Sequence, residues 1–301
     1  MRRYQADLLL LFAAAIWGFA FVFQKSAMEH IGPNAFIAAR SLLAAVALGP
    51  LAWLEGRRAS AGLPTPLLRI AVLGGVLFFV AAWFQQVGLI TATVSNTGFL
   101  TGLYVIITPF VAWFWLGQRL TPQVWIAVAL SFVGAWGLGG GTLAGFNGGD
   151  GLVAICALFW AIHLVITGAS AAFDRPITYT AIQFATVGVL GGVAAALTET
   201  TKFVGIIAAA PEIAYVGLLS SALTFTLLAI AMKHASAAET AIIVSLETVF
   251  AAVAGALLLG ERLAPIAIAG AGLILAAIVV VQLGGQTATP GSTGAKERPV
   301  Q

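Results

Sequence analysis

One carboxylate, Glu247, lies deep inside an apolar run, nine residues from the start of the stretch 238–259, whose other acid, Glu239, stands at its edge. Wound as a helix, that is a depth of roughly 13 Å at 1.5 Å per residue. An acid in such surroundings is costly, and it marks a place where a cation is bound, a proton is carried or an internal hydrogen bond is made. Other polar and aromatic side chains recur inside apolar runs at helical spacing. Trp17 and Gln24 share a face, as do Trp160, His163 and Thr167 at i, i+3, i+7. Thr97, Thr101, Tyr104 and Thr108 form one stripe, with Asn96 just before it. Gln85 and Gln86 follow Trp83, and Ser220 stands one turn before Thr224. Amides, hydroxyls and an imidazole can hydrogen-bond a polar head group, while indole and phenol rings receive an apolar body. Trp17, Gln85, Gln86, Asn96 and Thr101 are therefore candidate substrate-binding residues, together with Tyr104, Trp160, His163, Thr224 and Glu247.

Other chemistries find less to work with. His163 has no second histidine or carboxylate at ligand spacing, so no metal site is expected. No nucleophile elbow, zinc-protease or Walker motif occurs, nor a pair of acid/base carboxylates on one helix face, so neither an enzyme nor a nucleotide-driven pump is indicated. No cofactor is expected. Cys156 is the lone cysteine, which rules out an intramolecular disulfide and reads as a small packing residue. Arg40, eight residues into an apolar stretch, is expected to snorkel to the interface or to brace a neighbouring helix.

The elements that hold these residues follow from composition. The chain of 301 residues is 60% hydrophobic and 8% charged, against roughly 45–50% and about 25% in a soluble domain. Its apolar runs are long and continuous, which fits membrane-spanning helices and not the short alternating strands of a barrel. The net charge of +3 is scattered at loop positions, which argues against nucleic acid as a partner. Ten spans can be placed, at 7–28, 33–54, 67–90, 93–116, 121–140, 150–172, 177–198, 211–233, 238–259 and 264–283, with proline and glycine at the joints. Gly98 and Gly102 sit at GxxxG spacing, read as helix packing within the chain. The expected fold is all-α and polytopic.

A duplication organises the spans. Leu116 to Pro122, Leu-Gly-Gln-Arg-Leu-Thr-Pro, returns at Leu259 to Pro265 as Leu-Gly-Glu-Arg-Leu-Ala-Pro, an offset of 143 (259 minus 116). The same offset relates Asp7 to Asp150, Trp17 to Trp160, Pro33 to Pro176, Gly74 to Gly217 and Thr97 to Thr240. It also relates Tyr104 to Glu247. The domains expected are a first five-helix repeat at 1–140, a linker at 141–149, a second repeat at 150–283 and a disordered cytoplasmic tail at 284–301. With the N-terminus inside, ten Lys and Arg fall on the cytoplasmic side and three outside, which makes both termini cytoplasmic. An odd number of helices per repeat inverts the second copy, the plan of many secondary transporters with a midplane site. Gly117, Pro122, Gly260 and Pro265 then mark hairpin joints on opposite faces, with a structural or gating role.

Ile16-Trp17-Gly18, Phe159-Trp160-Ala161 and the two Leu-Gly-Gln/Glu-Arg-Leu segments resemble the drug/metabolite transporter superfamily with its EamA-type repeats. Gln118 stands where that family usually has glutamate, and Thr248 where it often has proline. The resemblance, over about 7–283, implies ten transmembrane helices in two inverted repeats around a central cavity and transport without ATP. It is closest to bacterial inner-membrane exporters of amino acids, aromatic ones included, working by alternating access on a small-molecule substrate within membrane lipid. A permease for a drug-like cation, nucleotide-sugar or lipid precursor is the alternative, and a non-transporting receptor or scaffold a remote one. Oligomeric state is left open.

Overall fold

A computed structural model describes residues 3–59, 62–117, 120–142, 146–200, 202–262 and 264–287, and every regular element among them is helical. The first half holds α1 (Arg3–Ala27), α2 (Pro33–Arg58), α3 (Thr65–Leu89), α4 (Val94–Thr101), α5 (Tyr104–Leu116) and α6 (Pro122–Leu138). The second holds α7 (Gly148–Ser170), α8 (Pro176–Thr198), the short α9 (Phe203–Ala208), α10 (Ala210–Ala214), a π-helical segment Tyr215–Leu223, α11 (Thr224–Ala231), α12 (Ala237–Val244), α13 (Glu247–Leu259) and α14 (Pro265–Thr287). Eight helical runs among the described residues are long and apolar enough to cross a membrane, and Pro122–Leu138 and Pro265–Val280 are shorter apolar helices. Large apolar side chains such as Phe114, Leu197 and Leu257 point outward while amides and hydroxyls are buried, the distribution that a hydrocarbon solvent imposes.

Three features depart from the expected spans. The fourth and ninth are each broken near the middle, between α4 and α5 and between α12 and α13. At both breaks the ladder tightens to i→i+3 bonds, Val105 N–H to Gly102 O in one and Thr248 N–H to Ser245 O in the other, a short 3₁₀-like turn of the kind found at hinges. The eighth span carries nine residues of π-helix. The last helix runs to Thr287, four residues into the expected tail, and 288–301 lie outside the described residues. So do Gln118 and Arg119 of the first heptapeptide.

Packing exchanges the halves. The most extensive helix contacts are α2 with α8, α6 with α14 and α3 with α7, and the last is mirrored by α1 against the π segment and α11. Small residues permit close approach: a Cβ on Gly134 would meet the Gly270 carbonyl at 2.6 Å, and one on Gly98 would meet the Ala251 Cβ at 2.7 Å. Gly98 and Gly102 are thus spent on α13 within the chain.

The α2/α8 pair is also fastened end to end. Glu199, just past α8, accepts from the N–H groups of Asn34 and Ala35 at 2.8 and 3.0 Å. Glu55, near the end of α2, accepts from those of Ile177 and Thr178 at 3.2 and 2.7 Å. Each glutamate supplies the other helix with the carboxylate cap its proline-led first turn lacks, satisfying N–H groups that have no intrahelical partner. The arrangement requires α2 and α8 to be antiparallel. At the hairpin joints, Gly117 (φ 61°) and Gly260 (φ 68°) close α5 and α13 in the left-handed conformation, which a Cβ would strain. Pro122 and Pro265 then begin α6 and α14.

Candidate functional site

Both helix breaks deliver a residue to the same cavity. Tyr104 is the first residue of α5 and Glu247 the first of α13, and both line one central cavity. The N-terminal end of a half-helix carries partial positive charge, which suits the Glu247 carboxylate. Trp17 and Gln24 come from α1, Phe78 and Gln85 from α3, Thr101 from α4, Trp160 and His163 from α7, Ser220 from the π segment and Phe225 from α11. Of the residues expected from sequence, Trp17, Gln85, Thr101, Tyr104, Trp160, His163 and Glu247 are therefore brought together.

Three of the polar groups are held by hydrogen bonds. The Trp17 indole donates from Nε1 to the Ser220 carbonyl at 2.9 Å, bridging α1 and the π segment. Gln85 donates from Nε2 to the Thr101 hydroxyl at 2.9 Å, and His163 Nε2 pairs with Gln183 Oε1 at 2.9 Å. Around them the aromatic rings interlock. Phe78 meets Trp160 edge-on at 4.9 Å and Phe225 at 5.0 Å, while Phe225 lies 4.8 Å from Trp17. Such pairs add specific orientation to the apolar wall.

Three expected residues are placed elsewhere. Gln86 is fully buried and donates to the Gln24 carbonyl; successive helical residues diverge by about 100°, so only one of a glutamine pair faces the cavity. Thr224 turns back onto the Ser220 carbonyl at 2.6 Å. The π winding through Leu223 carries Phe225 onto the face where α periodicity would have put Thr224. Asn96 is in the first turn of α4, where its side chain donates to Asp150 at the start of α7. Of the two roles expected of Arg40, snorkelling is not met. The side chain does not reach an interface; it is 4% exposed and lines the cavity.

Phe78 and Phe225 were not singled out by the sequence. Phe78 stands seven residues before Gln85, on the same α3 face, a signal hidden among the nineteen phenylalanines of the chain. For Phe225 no sequence signal anticipates the change of helical pitch.

No group of three or more metal-ligating side chains occurs among the described residues. The cavity is instead a preformed pocket with aromatic walls, one carboxylate, one guanidinium and the amides of Gln24 and Gln85.

Comparison with known proteins bears on what such a pocket belongs to. Residues 5–140 and 147–283 each match the EamA-like transporter family. An uncharacterized transporter of Archaeoglobus fulgidus is 31% identical over 291 residues, covering 94% of this chain and 87% of that protein. A solved crystal structure is similar with a TM-score of 0.75 at 20% identity, over 95% of this chain and 99% of the other; at that identity the likeness is one of fold.

Proposed function

The chain belongs to the EamA-like transporter family, and on that premise we propose that it is a secondary carrier exporting small amphipathic metabolites, amino acids and aromatic ones among them. The observation that carries this reading is the union of Glu247 with Trp17, Phe78, Trp160 and Phe225 around one buried cavity. A carboxylate in apolar surroundings suits an ammonium group or a proton, and interlocked aromatic rings suit an apolar side chain. The amide of Gln85 and the hydroxyl of Thr101 add fixed hydrogen-bonding partners beside it.

Ten helices in two inverted repeats, with both termini on the cytoplasmic side of a bacterial inner membrane, frame this reading. The antiparallel α2/α8 clasp supports the inversion, because equivalent helices of the two halves run in opposite directions. The two shorter apolar helices, α6 and α14, complete the count. Alternating access then proceeds by tilting half-helices about the breaks before Tyr104 and Glu247, with the joints at Gly117 to Pro122 and Gly260 to Pro265 absorbing the motion.

Reconstitution of the full chain into liposomes with labelled phenylalanine, tyrosine and tryptophan tests the reading. Wild-type flux is expected with at least one of them, and Glu247→Gln should lower it about tenfold or more, the scale of a lost charge-assisted hydrogen bond. Flux that is absent for all amino acids with or without a pH gradient, or that ignores Glu247→Gln, overturns it.

A further inference from the structure

Arg40 is the other charged side chain on the cavity wall. It lies on α2, is 4% exposed, and makes no hydrogen bond or ion pair among the described residues; its Nε is buried without a partner. The ion pairs that do occur among those residues are Arg3 with Glu239 and Lys233 with Asp174, both remote from the cavity lining. The guanidinium carbon sits 5.5 Å from the Phe36 ring centroid and 5.9 Å from that of Phe78. Cation–π contact at those distances is weak compensation for a charge removed from water.

The duplication explains why the partner is missing. Under the 143-residue offset Arg40 corresponds to Gln183, whose Oε1 is engaged by His163 from α7. The residue corresponding to His163 is Ala20 on α1, a buried methyl group. In one half the polar residue of the second helix is answered by a side chain from the first helix. In the other half a stronger donor is present, and the position of the answering side chain holds only a methyl group.

We infer that Arg40 is the anion-binding group of this cavity, and that its ligands carry a single carboxylate beside an apolar body, the carboxylate seated on the guanidinium. The inference rests on the cavity being the substrate site. A guanidinium presents parallel N–H donors that match the two oxygens of a carboxylate. One cation suits one negative charge. A doubly charged phosphate ester asks for more donors, and Lys25, the nearest basic residue on α1, is already committed to the carbonyls of Leu89 and Ala92. Phe78 connects the guanidinium to the aromatic wall, touching Arg40 on one side and Trp160 and Phe225 on others. A ligand whose carboxylate meets Arg40 therefore has its apolar body directed into the interlocked rings. No ion pair joins Arg40 to Glu247, so the guanidinium is not neutralised by the carboxylate of the same cavity.

Thermal unfolding of the full chain in detergent, titrated with 3-phenylpropionate, L-phenylalanine, L-phenylalaninamide and phenethylamine, tests this directly, since a ligand that binds the folded state raises the Tm with concentration. Both carboxylates are expected to raise the wild-type Tm. In Arg40→Gln their affinity should fall about 10- to 100-fold, the worth of a hydrogen bond to a charged group, while the responses to the amide and the amine are unchanged. A wild type that ignores both carboxylates overturns the inference, and so does a variant that weakens all four probes alike, the mark of a purely structural arginine. Should Arg40→Gln fail to fold, Arg40→Lys keeps the charge and loses the fork; its loss must still be confined to the two carboxylates, and an equal loss for the amine rejects the assignment. If 3-phenylpropionate binds through Arg40 while no amino acid is transported, the anion subsite stands and the amino-acid reading falls. If amino acids are transported and Arg40→Gln leaves every carboxylate response intact, the reverse holds.

Discussion

The second helices of the two halves and the fourth-span helices of the two halves solve the same problem differently. The α2 and α8 N-termini both begin with proline, and each takes its cap from a glutamate at the far end of the other helix. The α4 and α12 N-termini share a local hydroxyl cap, Thr93 accepting from the Asn96 N–H as Ser236 accepts from that of Glu239, and differ, among the described residues, in what is added to it. Glu261, just beyond α13, reaches across to the N–H groups of Val94 and Ser95 and to the Ser95 hydroxyl. At α12 the addition found among the described residues is local: Glu239 accepts from the Ser236 N–H and pairs with Arg3. Reciprocal clasps suit a pair of helices that stay together. Unequal ones at the two ends of broken helices suit elements that move against different neighbours on the two faces.

The largest effect should come from removing the reciprocal clasp. Glu55→Ala or Glu199→Ala each deprives two helix N–H groups of a carboxylate, at a cost of about 1–2 kcal/mol by analogy with lost caps. The two sites lie at opposite ends of helices roughly 35–40 Å long, so the double variant should lose the sum within about 0.5 kcal/mol. Denaturation of the purified protein in detergent measures it. Losses that differ severalfold between the two singles, or a double variant no worse than one of them, would break the claim that the pair is symmetric.

A smaller effect is expected at the unequal pair. Glu261→Gln gives the second joint the residue type that the first heptapeptide carries at Gln118. The amide keeps one acceptor oxygen where the carboxylate served three donors, so the stability loss should be about 1 kcal/mol and below that of Glu199→Ala. Swapping Ser236 to Ala removes only the local hydroxyl cap and should cost a similar amount or less. If Ser236→Ala destabilises more than Glu261→Gln, the local cap and not the cross-helix one is the stronger fastening, and the contrast drawn above inverts.

How far this architecture is readable in advance depends on the range of the interaction concerned. The left-handed turns at Gly117 and Gly260 and the helix starts at Pro122 and Pro265 follow from local backbone chemistry, and the 143-residue offset makes each reinforce the other. Helical class and lipid-facing surface follow from composition. The convergence of Tyr104 and Glu247 is available from the duplication, since equivalent positions near the axis meet. The clasps are not, because Glu55 and Glu199 act on residues more than 120 positions away. Nor is the choice between Gln85 and Gln86, which needs the rotation of α3 about its own axis. Thr224 and Phe225 exchange roles because of a π segment that no periodicity in the sequence announces. For Arg40 the sequence leaves snorkelling and bracing both open, because its length permits the first, and only the surrounding helices show that it is enclosed.

The smallest effect is expected where a symmetry-broken contact is exposed. Asp174 and Lys233 pair between the end of α7 and the end of α11, while their equivalents under the offset are Ile31 and Ile90. Asp174 holds a left-handed backbone conformation at φ 54°, which asparagine also tolerates, so Asp174→Asn removes the charge and leaves the turn. The hydrogen bond and the charge of Lys233 depress the Asp174 pKa below its ordinary 3.8. A depressed carboxylate stabilises the folded state above its ordinary pKa, and that contribution disappears as pH falls through the folded value. The pair is largely open to solvent, which screens it. Asp174→Asn should therefore lower the neutral-pH Tm only slightly, less so in high salt, and the difference from wild type should vanish in acid. A large, salt-insensitive loss would mean that this exposed pair carries the fastening here assigned to the buried carboxylates.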